Sequence, residues 1–172
     1  MFEKRVFWKA SLAVAAVSTF IGSGKVDAMA TSMRVHNLIH NLVESRLRSK
    51  VLVEQVTGAS LSIVASSVPP HYEGRHTTLR GVAVDQIRYW RPDTIDGQIV
   101  GPHLDITLAS CLLVSEAKRR YGPWDIVGVP GPEASWGRLE PWGELIFGAD
   151  PKNNSCVKTI SIDMRRQQEH RR

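Results

Sequence analysis

The chain has 172 residues, 22 Lys+Arg against 17 Asp+Glu for a formal net charge of +5, and 42% hydrophobic residues. That length allows one domain with a core of its own. It contains no internal repeat and no low-complexity tract, which excludes solenoid and fibrous architectures, and past the N-terminus no run is apolar for about 18 residues, so nothing further is expected to span a membrane.

In chain order, Met1 to Lys9 carries Lys4, Arg5 and Lys9, Ala10 to Ile21 is apolar, and Ala28-Met29-Ala30 is a small-x-small cleavage pattern. This predicts a secretory signal peptide over 1–30, since the apolar run falls short of the ~20 residues of a membrane span. An uncleaved anchor, or a start at Met29 or Met33, are the alternatives. The mature chain, 31–172, has 18 Lys+Arg against 15 Asp+Glu, much of the excess in the tail Arg165 to Arg172. A periplasmic location is expected, with a main domain over 31–135 and a C-terminal extension over 136–172.

From Arg34 to Arg48 the apolar residues Val35, Leu38, Ile39, Leu42, Val43 and Leu47 follow a helical period. Val51 to Val56 and Leu61 to Ser66 read as short strands around Thr57-Gly58, and Ser67 to Thr78 reads as a loop. Gly81 to Trp90 fits a strand or a helix. Leu104 to Tyr121 reads as a helix with Ile106, Ala109, Leu112, Leu113 and Ala117 on its apolar face, ended by Gly122-Pro123. Pro130-Gly131-Pro132 breaks the chain after a short apolar piece. Leu145-Ile146-Phe147 and Val157 to Ile162 read as strands added to the main domain.

His36, His40 and Glu44 share one helix face at i, i+4, i+8. Two histidines at that spacing can share zinc, but the hydrolytic signature needs Glu directly after the first, where Asn37 stands, so no metal is expected. A Cys111–His103 pair is excluded, because eight helical residues separate them by about 12 Å of rise. His71 and His76 sit in a predicted loop without a signature. Cys111 and Cys156 leave two readings open, one disulfide or a buried free thiol at Cys111. A Glu at the end of a buried helix, such as Glu44, suits a glycosidase acid if apolar groups enclose it.

Four segments resemble the lytic transglycosylases of VirB-type (type IV) secretion operons, in the lysozyme-like superfamily. Ile39 to Arg46, with Val43-Glu44-Ser45-Arg46, resembles the catalytic helix. Gly74 to Trp90 is similar in order and spacing to the stretch carrying Gly-Leu-Met-Gln-Ile-Asn, Pro102 to Tyr121 resembles the Pro-Cys-x-Asn-Leu helix, and Tyr121 to Pro132 stands where the family has Ala-Tyr-Asn-x-Gly. The chain departs from the pattern at Val84-Asp85-Gln86-Ile87-Arg88, at His103 and Asp105, and at Gly128 to Pro132.

The resemblance implies an α+β, mostly α, lysozyme-like domain with a small β-sheet at 51–66. It implies a periplasmic enzyme that cleaves the glycan β-1,4 bond of peptidoglycan and opens the wall for a type IV secretion or conjugation channel. Glu44 would be the catalytic acid and base, Ser45, Gln86 and Ile87 would bind substrate, and no cofactor or metal would be used. The implied partners are peptidoglycan and other secretion components, with no nucleic acid and no membrane after signal cleavage. The departures also admit a catalytically decayed homologue that binds the wall or assists secretion assembly.

Overall fold

The structure, a computed structural model, describes residues 23–95, 98–127 and 134–164. The predicted signal segment up to residue 22, the break at Pro130-Gly131-Pro132 and the basic tail lie outside the described residues. Among the described residues no helix is long and apolar enough to cross a membrane.

Helix α1 (Ser23–Glu44) buries Val35, Leu38, Ile39 and Leu42, one turn apart as the sequence period requires. It includes Ala28-Met29-Ala30, the expected cleavage pattern. Helix α2 (Lys50–Thr57) replaces the predicted strand at 51–56. The Ser49 hydroxyl caps it by accepting the Leu52 N–H at 3.2 Å, and Gly58, at φ 75°, closes it in the left-handed region. Those two end signals outweigh the β propensity of three valines.

The rest is built on strands β1 (Ser62–Val64), β2 (His71–Leu79), β3 (Val82–Trp90), β4 (Asp93–Ile95), β5 (Gln98–Val100) and β6 (His103–Leu113). After β6 come helix α3 (Val114–Tyr121), β7 (Ile126–Val127), β8 (Ser135–Glu140), β9 (Gly143–Asp150) and β10 (Asn153–Asp163). Eight strands form one sheet in the order β1-β2-β3-β6-β10-β9-β8-β7, antiparallel at every pairing, and β4 and β5 form a separate ribbon between β3 and β6.

The expected mostly helical, lysozyme-like fold is therefore incorrect: among the described residues antiparallel sheet dominates, with three helices packed on it. The decisive misreading lies at 104–121. Leu104, Ile106 and Leu108 are buried at a period of two, so the first part of that stretch is strand, and only its basic end is helical. Residues 71–78, read as loop, form most of β2. Within the stretch read as an extension, 136–172, lie most of β8 and all of β9 and β10, with β10 between β6 and β9 near the middle of the sheet.

One face of the sheet packs on the helices. Ile87, Tyr89, Leu104, Ile106, Phe147, Ile160 and Ile162 join Leu38, Leu42 and Val53 in a single core, each at most 2% exposed. The chain leaves α1 through a tight turn in which Arg46 and Leu47 adopt φ 57° and 46°. The Ser45 hydroxyl donates to the Leu42 carbonyl at 2.6 Å and accepts from the Leu47 N–H at 3.2 Å. Leu47 is fully buried, and the Tyr89 hydroxyl donates to its carbonyl at 2.8 Å.

The register slips at Asp85 between β3 and β6, and at Lys158 between β10 and both its neighbours. Such bulges bend and twist a sheet. Lys158 Nζ bridges the slipped strands, donating to Asp85 Oδ2 and to the Leu108 carbonyl, each at 2.7 Å. Just beyond this line a Cys111–Cys156 disulfide ties β6 to β10 with Cα atoms 5.1 Å apart, so of the two readings left open for the cysteines the bridge is the one formed. At the start of β9 Gly143 has φ 148°, and a Cβ there would lie 2.0 Å from the Asp163 carbonyl oxygen.

Candidate functional site

The residues predicted to form a catalytic site do not converge. Glu44 is the last residue of α1 and is exposed. Ser45 beside it is consumed by the turn. Gln86 and Ile87 are neighbours on β3 and so point to opposite faces of the sheet. Ile87 is fully buried against the helices, which removes it from any substrate surface. Gln86 donates to Glu73 Oε2 at 2.8 Å on the other face, away from α1.

His36 and His40 stack along α1, ring centroids 6.5 Å apart, and His36 Nδ1 meets the Tyr121 hydroxyl at 3.0 Å. Burial, with the charges of Arg120 and His40, lowers the His36 pKa. Burial likewise raises the Tyr121 pKa. This is a packing seam between α1 and α3. Among the described residues no group of three or more His, Cys, Asp and Glu side chains is arranged to hold a metal ion.

The chemistry-bearing side chains gather instead on the sheet face turned away from the helices. Strand register lines them into two rungs. One crosses Ser62, Glu73, Arg88, Asp105 and Ser161, and the other crosses Trp90, His103, Asp163 and Glu144. His103 Nε2 meets Asp105 Oδ1 at 2.9 Å, and its Nδ1 lies 3.4 Å from Asp163 Oδ2. Asp105 also accepts from Ser161 Oγ at 2.6 Å and from Arg88 at 3.3 Å. Burial acts to lower the His103 pKa, but its close contacts with the carboxylates of Asp105 and Asp163, and their charges, outweigh it and push the value up to about 9. Burial would raise Asp105, yet His103, Ser161 and Arg88 hold it below its usual range.

Trp90 is the last residue of β3, at the end of this face where β6 begins. His71 and His103 flank its ring at centroid distances of 5.0 and 5.2 Å, and the Arg88 guanidinium lies 5.4 Å from it. Three enclosed nitrogens here, His71 Nε2, Arg88 Nε and His103 Nδ1, make no hydrogen bond. Two of them still face carboxylates, His71 Nε2 with Glu73 at 3.5 Å and His103 Nδ1 with Asp163 at 3.4 Å.

Ser67, His71 and Glu73 stand in the order of a nucleophile, a base and an orienting acid, with Ser67 Oγ 2.8 Å from His71 Nδ1. The Ser67 hydroxyl has one proton, however, and lies 2.8 and 3.0 Å from the carbonyls of Val64 and Pro69. Glu73 is already engaged by Gln86 and Arg75, and the Arg75 bond leads in lowering its pKa. The trio clamps the loop between β1 and β2 instead of presenting a nucleophile.

Of these face residues only Gln86 was expected from sequence to belong to a site. The signal was there: polar Gln86, Arg88 and Trp90 alternate with Ile87 and Tyr89, His103 and Asp105 with Leu104 and Ile106, and Ser161 and Asp163 with Ile160 and Ile162. Period-two alternation marks a two-faced strand. No family model, curated protein or solved structure matches the chain.

Proposed function

We infer that this is an exported envelope protein that works by binding, in wall attachment or in assembly of a secretion channel, and that it does not cleave glycan. The exposed position of Glu44 carries the non-catalytic part of the reading, and the wall or secretion role rests on the resemblance of residues 39–46 given above. A glycosidase acid stands enclosed in a cleft beside its substrate, and Glu44 stands exposed at a helix end. The separation of Glu44 from Gln86 by the whole sheet weighs the same way. So does the strand conformation of 103–113, the segment likened to a family helix. The Cys111–Cys156 bond supports export, since such bonds persist in oxidising compartments.

Zymography on peptidoglycan with the wild type and Glu44→Gln tests this reading, alongside sedimentation of both with purified sacculi. The expected result is no clearing by either protein and equal sedimentation of the two. Clearing by the wild type that Glu44→Gln abolishes would restore the enzymatic reading.

A further inference from the structure

Where β6 ends and β10 begins, the sheet loses its regular pairing. Between the pairs Thr159–Thr107 and Val157–Leu112 the register slips, so residues 108–111 of β6 face Lys158 alone. Beyond the slip lie the pairs Val157–Leu112 and Cys156–Leu113, and on the other side β9 pairs with Asn153 and Val157 but with no residue between them. Such a slip re-aims side chains, and Ala109, Ser110 and Cys111 are exposed. The two halves of the Cys111–Cys156 bond therefore stand in different surroundings. Cys111 is exposed, whereas Cys156 is 5% exposed and its Sγ accepts a hydrogen bond from Asn153 Nδ2 at 3.2 Å. The Asn153 amide is held this way round, because its Oδ1 accepts from the Ser155 N–H at 3.2 Å and from the Ser155 hydroxyl at 2.6 Å. Helix α3 starts at Val114, just past Cys111. It is eight residues long, its N-cap Leu113 makes no side-chain capping bond, and Ala117 is its one buried residue. A helix of that length does not hold its shape alone in water. It depends on its tethers, the contact of Tyr121 with His36 at its far end and the disulfide ahead of its first turn.

We propose that Cys111–Cys156 is a thiol–disulfide exchange site that opens by attack at Cys111, and that its opening releases α3 from the sheet. The reductant is a dithiol. Its first thiolate attacks the exposed Cys111 Sγ, the S–S bond breaks, and the bonding pair leaves on Cys156 Sγ. There the Asn153 N–H stabilises the developing thiolate, and a better-stabilised leaving thiolate leaves faster. The second thiolate of the dithiol then attacks its own first sulfur and displaces Cys111. The reductant departs as a disulfide, and both cysteines take up protons from water to become thiols. Attack from the other side is disfavoured, because Cys156 is enclosed. This exchange goes beyond the binding role inferred above and does not rest on it.

Treating the purified, disulfide-bonded chain with reduced glutathione, quenching with N-ethylmaleimide and mapping the peptides by mass spectrometry tests the direction of attack. Glutathione is expected on Cys111 and the maleimide on Cys156. The reverse assignment, or an even mixture, would overturn the proposal. Asn153→Asp keeps an acceptor for Ser155 but removes the donor and sets a negative charge beside the leaving sulfur. Reduction by dithiothreitol should slow about threefold or more in that variant, and an equal or faster rate would count against the role given to Asn153. Hydrogen exchange of the wild type, reduced and alkylated at both cysteines, tests the release of α3. Exchange should speed up over 111–121 and 153–157, while the amides of Ile87, Tyr89, Leu104 and Ile106 stay protected. An α3 that exchanges as slowly as before, or protection lost through the whole sheet, would show that the bond is no latch on this helix.

Discussion

The two faces of the same strands are stabilised by different physics. On the helix side, alternate residues of β3, β6, β9 and β10 bury aliphatic and aromatic groups that owe nothing to pH. On the far side, the residues between them form rungs of charges that hold one another, with His103 between Asp105 and Asp163. The first face depends on packed volume and survives a change of protonation. The second depends on every partner keeping its charge, because a half-satisfied buried network is less stable than none. Period-two alternation lets one strand carry both, so a polar residue at the middle of a sheet is no evidence against a strand there.

The largest expected effect breaks the apolar face. Phe147 is fully buried beneath Tyr121 and Trp124, whose rings lie 5.0 and 5.6 Å away. Phe147→Ala should cost about 3–5 kcal/mol in denaturant unfolding, by lost transfer energy and the cavity left behind. The loss should be the same at pH 6 and pH 9.

A smaller, pH-dependent effect should follow from breaking the polar face. Asp105→Asn keeps the shape but removes the charge that His103, Ser161 and Arg88 share. At pH 6 to 7 this should destabilise by about 3 kcal/mol, since an imidazolium and a guanidinium lose their common partner. The gap should narrow toward pH 9. A His103 pKa raised from 6.5 to about 9 gives stability that is fully present below pH 6.5 and is lost as the pH rises through 9. On the acid side, the lowered values of Asp105 and Glu73 give stability that is present above the ordinary carboxylate range and is lost as the pH falls through their lowered values. Equal losses for Asp105→Asn at pH 6 and 9 would show that the rungs contribute through packing alone.

The contrast also explains what the sequence disclosed. Helix α1 was legible because Val35, Leu38, Ile39 and Leu42 repeat with a helical period and all four are buried. Strand β6 was not, because Ile106, Leu112 and Ala117 fit a helical face as well as a strand running into a helix, and the alternation of Leu104, Ile106 and Leu108 is only three residues deep. Helix α2 was hidden by its valines, although Ser49 and Gly58 marked its ends. The polar face needed long-range pairing to become visible. His103 lies 60 residues from Asp163 in sequence, and only the placement of β10 beside β6 brings them together. Glu44 was legible as a residue at a helix end, but its surroundings depend on where the chain turns next, which Ser45, Arg46 and Leu47 decide.

The most direct test of the self-compensating polar face is the titration of His103 by NMR in the disulfide-bonded chain, followed through its ring carbon protons from pH 5 to 10. A midpoint near 9, with the ring charged throughout the neutral range, is the expected result. A midpoint at or below the ordinary 6.5 would mean that burial prevails over Asp105 and Asp163, and would contradict the account of this face as a network of mutually held charges.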